Sequence, residues 1–156
     1  MIHFFFFLFV YLFVFCLQDK NIIVKEPDFF EILQKRIESK VVDFTAYASE
    51  ECWKWGAAIK QGSGNYGKVQ FAIDHIPYNT TAHRAMYVAV HKTLPQDLPL
   101  DISHLCHEGL CVNPKHLVHE DRIVNLARRN CKESSRPCSG HWLNGQYHQP
   151  CIQPDT

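Results

Sequence analysis

Three segments of the chain have apolar residues at the spacing of an amphipathic helix. In the first of them Phe30, Leu33 and Ile37 recur at intervals of three and four, which places them on one face of a helix. The same criterion predicts helices over residues 28–39, 81–92 and 120–129. The remaining polar and turn-rich stretches separate these helices by loops and short strands.

A β-hairpin is predicted between the first two helices. The cluster Gly-Ser-Gly-Asn at residues 62–65 lies between two β-prone runs, and such clusters are typical of turns. We expect strands near residues 52–60 and 66–73, and a later strand that ends at His104. Helices combined with antiparallel strands predict a small domain of the α+β class.

The N-terminus differs from the rest because residues 4–17 are fourteen consecutive apolar residues without a charge. This run is shorter than the roughly 20 residues of a membrane-spanning helix and matches the apolar core of a secretory signal. A mispredicted start of the reading frame or an unusual hydrophobic extension is the alternative, since only His3 precedes the run. We divide the chain into a signal-like or anchoring leader at 1–18, a helical N-terminal extension at 19–49 and a main domain at 50–156.

Cysteine and histidine are unusually frequent. The chain has seven cysteines and ten histidines, whereas 16 basic residues balance 16 acidic ones, which excludes a wholly polybasic or acidic disordered chain. Without Cys16 six cysteines remain, and an even number also suits a secreted disulfide protein. Six histidines share residues 104–151 with five of these cysteines. Because imidazole has no role in a disulfide, metal binding is favoured.

The spacing of three residues predicts a first zinc site. Cys106, Cys111 and His116 are separated by four residues each, which brings two thiolates and one imidazole onto one compact loop. Zinc prefers four tetrahedral nitrogen and sulfur ligands. Cys52 is the one upstream cysteine outside the leader, and we assign it as the fourth ligand.

A second zinc site is predicted in the tail. The tail has little apolar periodicity, and structural zinc supplies folding free energy to such regions. Cys131, Cys138, His141 and Cys151 offer three sulfurs and one nitrogen, with His148 as the alternative nitrogen ligand. Three thiolates in each set indicate closed structural sites.

His104 and Asn125 are left outside both zinc sets. At 100° per residue, Ile123 and Leu126 lie about 60° apart and are expected to face the core, with Asn125 away from them. A strand that ends at His104, a metal-pinned loop and a helix carrying Asn125 would form a ββα unit. A neutral imidazole can accept a proton from water, and an amide oxygen suits Mg²⁺.

These residues resemble a known family. The segments SHLCH at residues 103–107 and CVNPKHL at residues 111–117, followed by Asn125, are similar to the zinc-binding loop region of the His-Cys box homing endonucleases. That family belongs to the His-Me finger, or ββα-metal, superfamily. The resemblance extends over roughly residues 50–151. It implies a zinc-stabilised ββα-metal domain with two structural zinc ions per subunit, which acts as a homodimer.

The resemblance implies a Mg²⁺-dependent endonuclease that cleaves double-stranded DNA. His104 matches the general base, and Asn125 matches the ligand of a single catalytic Mg²⁺. Lys68 and Arg84 lie in the region where the family has a catalytic basic residue, and neither matches it by sequence. A catalytically inactive zinc module that binds nucleic acid or protein is the alternative.

A local excess of positive charge supports a nucleic-acid partner. Residues 122–136 contain five basic residues and one acidic residue, as a phosphate-binding surface requires. The predicted DNA contacts are Lys68, Arg84, Arg128 and Arg129. Such a domain is expected in the nucleus or cytoplasm, whereas the leader predicts secretion or membrane anchoring.

Overall fold

The computed structural model describes residues 29–42, 50–60, 65–98, 100–132 and 136–152. The predicted leader lies outside these ranges. Within them, none of the helices has the length and apolar character needed to span a bilayer.

The described residues form three α-helices and seven short strands. The helices are α1 (Phe29–Glu38), α2 (Ala82–His91) and α3 (Arg122–Lys132). The strands are β1 (Ile59–Lys60), β2 (Tyr66–Ile73), β3 (Ile76–Thr81), β4 (Asp101–His104), β5 (Leu117–Glu120), β6 (His141–Leu143) and β7 (Gln146–His148). Two 3₁₀ turns, Pro95–Asp97 and Pro114–His116, complete the elements. The predicted α+β class is confirmed.

The predicted hairpin is present, with a shorter first strand than expected. β1 and β2 pair antiparallel, with Ile59 opposite Gly67, but β1 is limited to two residues. The chain before it instead makes single bridges, from Trp55 to Val41 and from Lys54 to Cys111. The first bridge joins the segment to the chain that follows α1, and the second joins it to the loop of Cys111.

A third strand was not predicted. β3 pairs with β2 and completes a sheet in the order β1-β2-β3. The turn between β2 and β3 places Asp74 and His75 at φ values of 47° and 66°. Hairpin turns of this kind favour glycine, asparagine or aspartate, and Asp74 followed by histidine, without a glycine, is a weak turn signal in the sequence.

The hydrophobic core lies where α1, α2 and β2 meet. Leu33 and Ile37 of α1 are buried together with Met86 of α2 and Phe71 of β2. Their burial follows the predicted helical spacing of α1. The N-terminal extension therefore contributes to the same core as the segment from Trp53 onwards.

The ββα unit is formed by β4, β5 and α3. β4 and β5 pair antiparallel, and His104 at the end of β4 lies opposite Leu117. The expected core face of the following helix is wrong: Ile123 and Leu126 are 58% and 42% exposed. Val124 and Arg128 are buried instead. The reason is that Arg128 pairs with the buried carboxylate of Glu120, so a polar side chain occupies the inner face.

The tail contains a small hairpin. β6 and β7 pair antiparallel, with His141 opposite His148. Asn144 and Gly145 form the turn at φ values of 53° and 74°, which fits the Asn-Gly preference of type I′ turns. No hairpin was predicted in the tail, although an Asn-Gly pair is a hairpin signal in a sequence.

Candidate metal centres and active site

The first predicted zinc set is assembled in the structure. The ligand atoms of Cys52, Cys106, Cys111 and His116 all lie within 4.8 Å of one another. His116 Nδ1 is 3.5 Å from the sulfurs of both Cys52 and Cys111. Tetrahedral zinc with bonds of ~2.3 Å to sulfur and ~2.0 Å to nitrogen separates such ligands by about 3.5 Å. The geometry therefore fits zinc.

Backbone pairing carries Cys52 to a loop far along the chain. The amide of Trp55 donates to Leu110 O at 2.9 Å, and the amide of Val112 donates to Trp53 O at 2.9 Å. The buried Asn113 adds a hydrogen bond from Nδ2 to Glu51 O at 2.8 Å. These bonds hold the Cys52 segment beside the loop.

The His116 ring is oriented by a backbone carbonyl. Its Nε2 donates to Glu50 O at 2.7 Å, which leaves Nδ1 to face the sulfurs, and ligating histidines commonly have such a partner. The hydrogen bond with Cys106 raises the pKa of His116 to about 10. Because zinc binds neutral imidazole, metal binding here releases a proton.

The surroundings of Cys106 favour its thiolate form. Hydrogen bonds from the side chains of Cys111 and Cys52 lower the pKa of Cys106. A thiolate is the form that ligates metal.

The second predicted zinc set is also assembled. The ligand atoms of Cys131, Cys138, His141 and Cys151 lie within 4.8 Å of one another. His141 Nε2 is 3.4 Å from the sulfurs of both Cys138 and Cys151. The structure brings His141 to these sulfurs, and His148 is not part of the cluster. Each of the six described cysteines is a free thiol.

The surroundings of the second cluster raise the pKa of one of its thiols and lower the pKa of another. Burial raises the pKa of Cys151 to about 12, and Arg128 opposes this rise. Burial also disfavours the thiolate of Cys138, but hydrogen bonds from the amides of Cys151 and Gly140 outweigh it and lower the Cys138 pKa. These thiols therefore differ in how readily they ionise.

His104 is held beside the first cluster. Its Nε2 donates to the backbone oxygen of Cys111 at 3.0 Å. A donor role for Nε2 assigns the lone pair of the neutral ring to Nδ1. Burial lowers the pKa of His104, partly offset by the negative charge of Cys106.

Two aromatic side chains that were not among the predicted site residues pack around His104. The Tyr66 ring stacks on His104 with centroids 6.0 Å apart, and the His83 ring lies 4.4 Å away. His83 is buried, and its pKa lies well below the usual value, chiefly because of burial. A single histidine in an amphipathic helix gives no signal in the sequence for this position.

Asn125 contacts the end of β4 that lies opposite to His104. Its Nδ2 donates to Asp101 Oδ2 at 3.0 Å, and Asp101 is the first residue of β4 whereas His104 is the last. Three steps along a strand span about 10 Å. The two predicted catalytic residues are thus tied to opposite ends of β4, with their side chains in separate contacts.

The four predicted DNA contacts differ in exposure. Lys68 and Arg129 are exposed. Arg84 is half-buried, and its guanidinium donates to the backbone oxygens of Leu98 and Leu100. Arg128 is 1% exposed and bound to Glu120. The prediction that Arg128 contacts phosphate is therefore wrong, because its charge is already paired inside the protein.

The helices, the antiparallel strands and the two Cys₃His clusters define a small domain of the α+β class with two potential zinc sites. Residues 51–155 match the family model described as the zinc-binding loop region of homing endonuclease. The chain belongs to this family, and the resemblance noted from the sequence is confirmed. No curated protein and no solved structure matches the chain.

Proposed function

We propose that the chain is a Mg²⁺-dependent endonuclease that hydrolyses phosphodiester bonds of double-stranded DNA. Family membership indicates a nuclease. The observation that carries the proposal is the orientation of the predicted base: His104 Nε2 donates to Cys111 O, so the basic Nδ1 is left for a water molecule. Cys111 is also one of the four residues of the first cluster. Zinc bound there would fix the Cys111 carbonyl that orients His104.

In the proposed reaction, His104 acts as the general base. Nδ1 takes a proton from water while the water oxygen forms a bond to phosphorus. The bond from phosphorus to the 3′-oxygen breaks, and its electron pair stays on that oxygen, which is then protonated from solvent. The products are a 5′-phosphate and a 3′-hydroxyl.

Asn125 is the residue that would hold the catalytic metal. Because its nitrogen donates to Asp101, the carboxamide oxygen is the end left for a cation, and Mg²⁺ prefers oxygen ligands. Bound Mg²⁺ would stabilise negative charge on the phosphate and the leaving oxygen. In this proposal the attacking water and the phosphate would lie between the base and the metal ligand, so His104 and Asn125 need not touch.

The sheet offers a polar face for DNA. Lys68 and Gln70 of β2 are exposed while the residues between and beside them are buried. Gln70 is opposite the exposed Asn79 of β3. A two-stranded ribbon fits the major groove, where amide side chains can bond base edges. We propose Lys68 and Arg129 as phosphate contacts, and homodimerisation remains a prediction from the family.

The proposal is tested by cleavage of a plasmid pool with random inserts, because the target sequence is unknown. Wild-type protein and His104→Ala are incubated with the pool and Mg²⁺, and cut ends are sequenced. Loss of a general base lowers the rate by about 10²–10⁴-fold. The control is His91→Ala, because His91 is exposed at the end of α2. This variant is expected to cleave DNA like wild type.

Equal cleavage by wild type and His104→Ala would reject the assigned base. DNA binding without cleavage, by a protein that retains two zinc ions, would instead establish the inactive zinc module.

A further inference from the structure

Asp101 lies between two side chains of α3. Its Oδ2 accepts a hydrogen bond from Asn125 Nδ2 at 3.0 Å and lies 3.7 Å from Arg122 Nη1. The Asp101 side chain is 34% exposed, whereas that of Arg122 is 77% exposed. Asp101 also begins β4, where it is opposite Glu120 of β5. The backbone of Asp101 is thus fixed by the pairing of β4 with β5, and its carboxylate faces α3.

The chemistry of this contact determines the orientation of the Asn125 carboxamide. An ionised carboxylate only accepts hydrogen bonds, whereas a carboxamide has a donating and an accepting end. Asp101 can therefore face only the nitrogen of Asn125. The terminal torsion of asparagine is broad and roughly two-fold, so without Asp101 the two ends of the amide could exchange places.

We propose that Asp101 is a positioning residue that holds the Asn125 carboxamide oxygen as a ligand for a divalent cation. This inference rests on the proposed function, because the cation is the Mg²⁺ of the nuclease site. Asp101 acts through Asn125 and has no contact with substrate. Arg122 Nη1 lies 3.7 Å from the same carboxylate oxygen and places a positive charge beside it.

The first test measures metal dependence. Asp101→Ala is expected to raise the Mg²⁺ concentration for half-maximal cleavage by about 10–100-fold, the usual effect of removing a residue that orients a metal ligand. DNA affinity is expected to stay at the wild-type level. Asp101→Asn keeps an oxygen that can accept from Asn125, and an intermediate increase is expected.

The control for lost negative charge is Asp97→Ala, since Asp97 is exposed in the 3₁₀ turn before β4. It is expected to leave the Mg²⁺ dependence unchanged. Zinc content and thermal unfolding of every variant are recorded, so that a folding defect is separated from a defect in metal binding.

A double-mutant cycle separates positioning from a general structural role. If Asp101 acts through Asn125, then Asp101→Ala has no further effect in the Asn125→Ala protein. Additive losses would show that Asp101 acts independently and would overturn the proposal.

A readout without catalysis uses Mn²⁺. Binding of Mn²⁺ to the DNA-bound His104→Ala protein is followed by electron paramagnetic resonance, with the Asn125→Ala change added to define the background. Asp101→Ala is expected to lower the affinity towards this background. Unchanged affinity would reject the positioning role, as would an affinity in the parent protein that is no greater than the background.

The two proposals can fail separately. If wild type does not cleave DNA but both Asp101→Ala and Asn125→Ala weaken Mn²⁺ binding, the nuclease function is rejected and the positioning role stands. If cleavage requires His104 but is independent of Asn125, the nuclease stands and the role of Asp101 is rejected.

Discussion

Arg128 and Glu120 form a buried, two-pronged ion pair between α3 and β5. Nε of Arg128 donates to Glu120 Oε1 at 2.7 Å, and Nη2 donates to Oε2 at 2.8 Å. The two side chains are only 2% and 4% exposed. Nη1 extends the contact to Gln149 O at 2.8 Å and to Cys151 Sγ at 3.7 Å. One guanidinium thus connects the helix that carries Asn125, the ββ ribbon and the second metal cluster.

Arg128→Met is expected to destabilise the protein strongly. Methionine fills much of the volume but leaves the Glu120 carboxylate buried without a partner, and breaking a buried pair in this way costs about 3–5 kcal/mol. Urea denaturation of the zinc-loaded protein measures the free energy of unfolding. Arg129→Met on the same helix is the control; Arg129 is exposed, and a change within about 0.5 kcal/mol is expected.

Replacing both partners distinguishes the pair from simple packing. Glu120→Leu combined with Arg128→Met removes both charges, and apolar substitutes of a buried pair are often neutral. We expect the double variant to recover most of the stability lost by Arg128→Met. A double variant less stable than Arg128→Met would contradict this account.

The ligand assignment of the second cluster leads to a prediction about zinc content. His141 is 3.4 Å from two sulfurs, whereas His148 is outside the group. His141→Ala is therefore expected to lower the zinc content from two to about one per chain after dialysis against a weak chelator. His148→Ala is the matched control on the paired strand and should retain both ions. Metal analysis by mass spectrometry that gives the reverse result would make His148 the ligand.

Both ligand sets could be predicted from sequence because their spacing is short and their chemistry is rare. Three of the four residues of the first set lie on one loop, and only Cys52 had to be found at a distance. Its position depends on backbone pairing between Trp53 and Val112, which no local pattern shows. Cys52 could still be assigned as the fourth ligand, because it is the one upstream cysteine outside the leader.

The inner face of α3 could not be predicted in the same way. Periodicity assigns burial to apolar residues, and here a buried arginine takes that place because Glu120 lies opposite it. The partner Asp101 of Asn125 was missed for a related reason, since the contact joins residues 24 positions apart. Polar contacts within the ββα unit depend on its three-dimensional packing and leave no periodic signal.

Gly67 leads to a prediction about the packing of β2. A Cβ at this position would lie 2.6 Å from Trp55 Cδ1 and 2.8 Å from Ala82 Cβ, and both neighbours are buried. Gly67→Ala is expected to cost about 1–3 kcal/mol, as overpacking of a core does. Gly109→Ala is the comparison with a smaller overlap, because its Cβ would meet its nearest atom, the backbone oxygen of Asn65, at 3.3 Å, and a smaller loss is expected. A Gly67→Ala protein as stable as wild type would show that Trp55 moves aside freely.

The buried His83 leads to a prediction about pH. Its ring lies 4.4 Å from His104 and 5.2 Å from Tyr66, and burial, with the positive charges of His104 and Arg84, holds the pKa of His83 well below its usual value. The unfolded chain therefore binds more protons at this residue than the folded protein does. Stability is expected to fall as the pH drops below about 6.5, by up to about 1.4 kcal/mol per pH unit from this group.

His83→Phe removes this proton uptake and keeps an aromatic side chain in the site. The free energy of unfolding is measured between about pH 7 and pH 5, at constant zinc occupancy, where the unfolded imidazole titrates. The variant is expected to lose less stability on acidification than wild type, whatever its stability at neutral pH. Parallel curves for the two proteins would show that His83 is protonated equally in the folded and unfolded states, so that its burial would not explain any acid sensitivity.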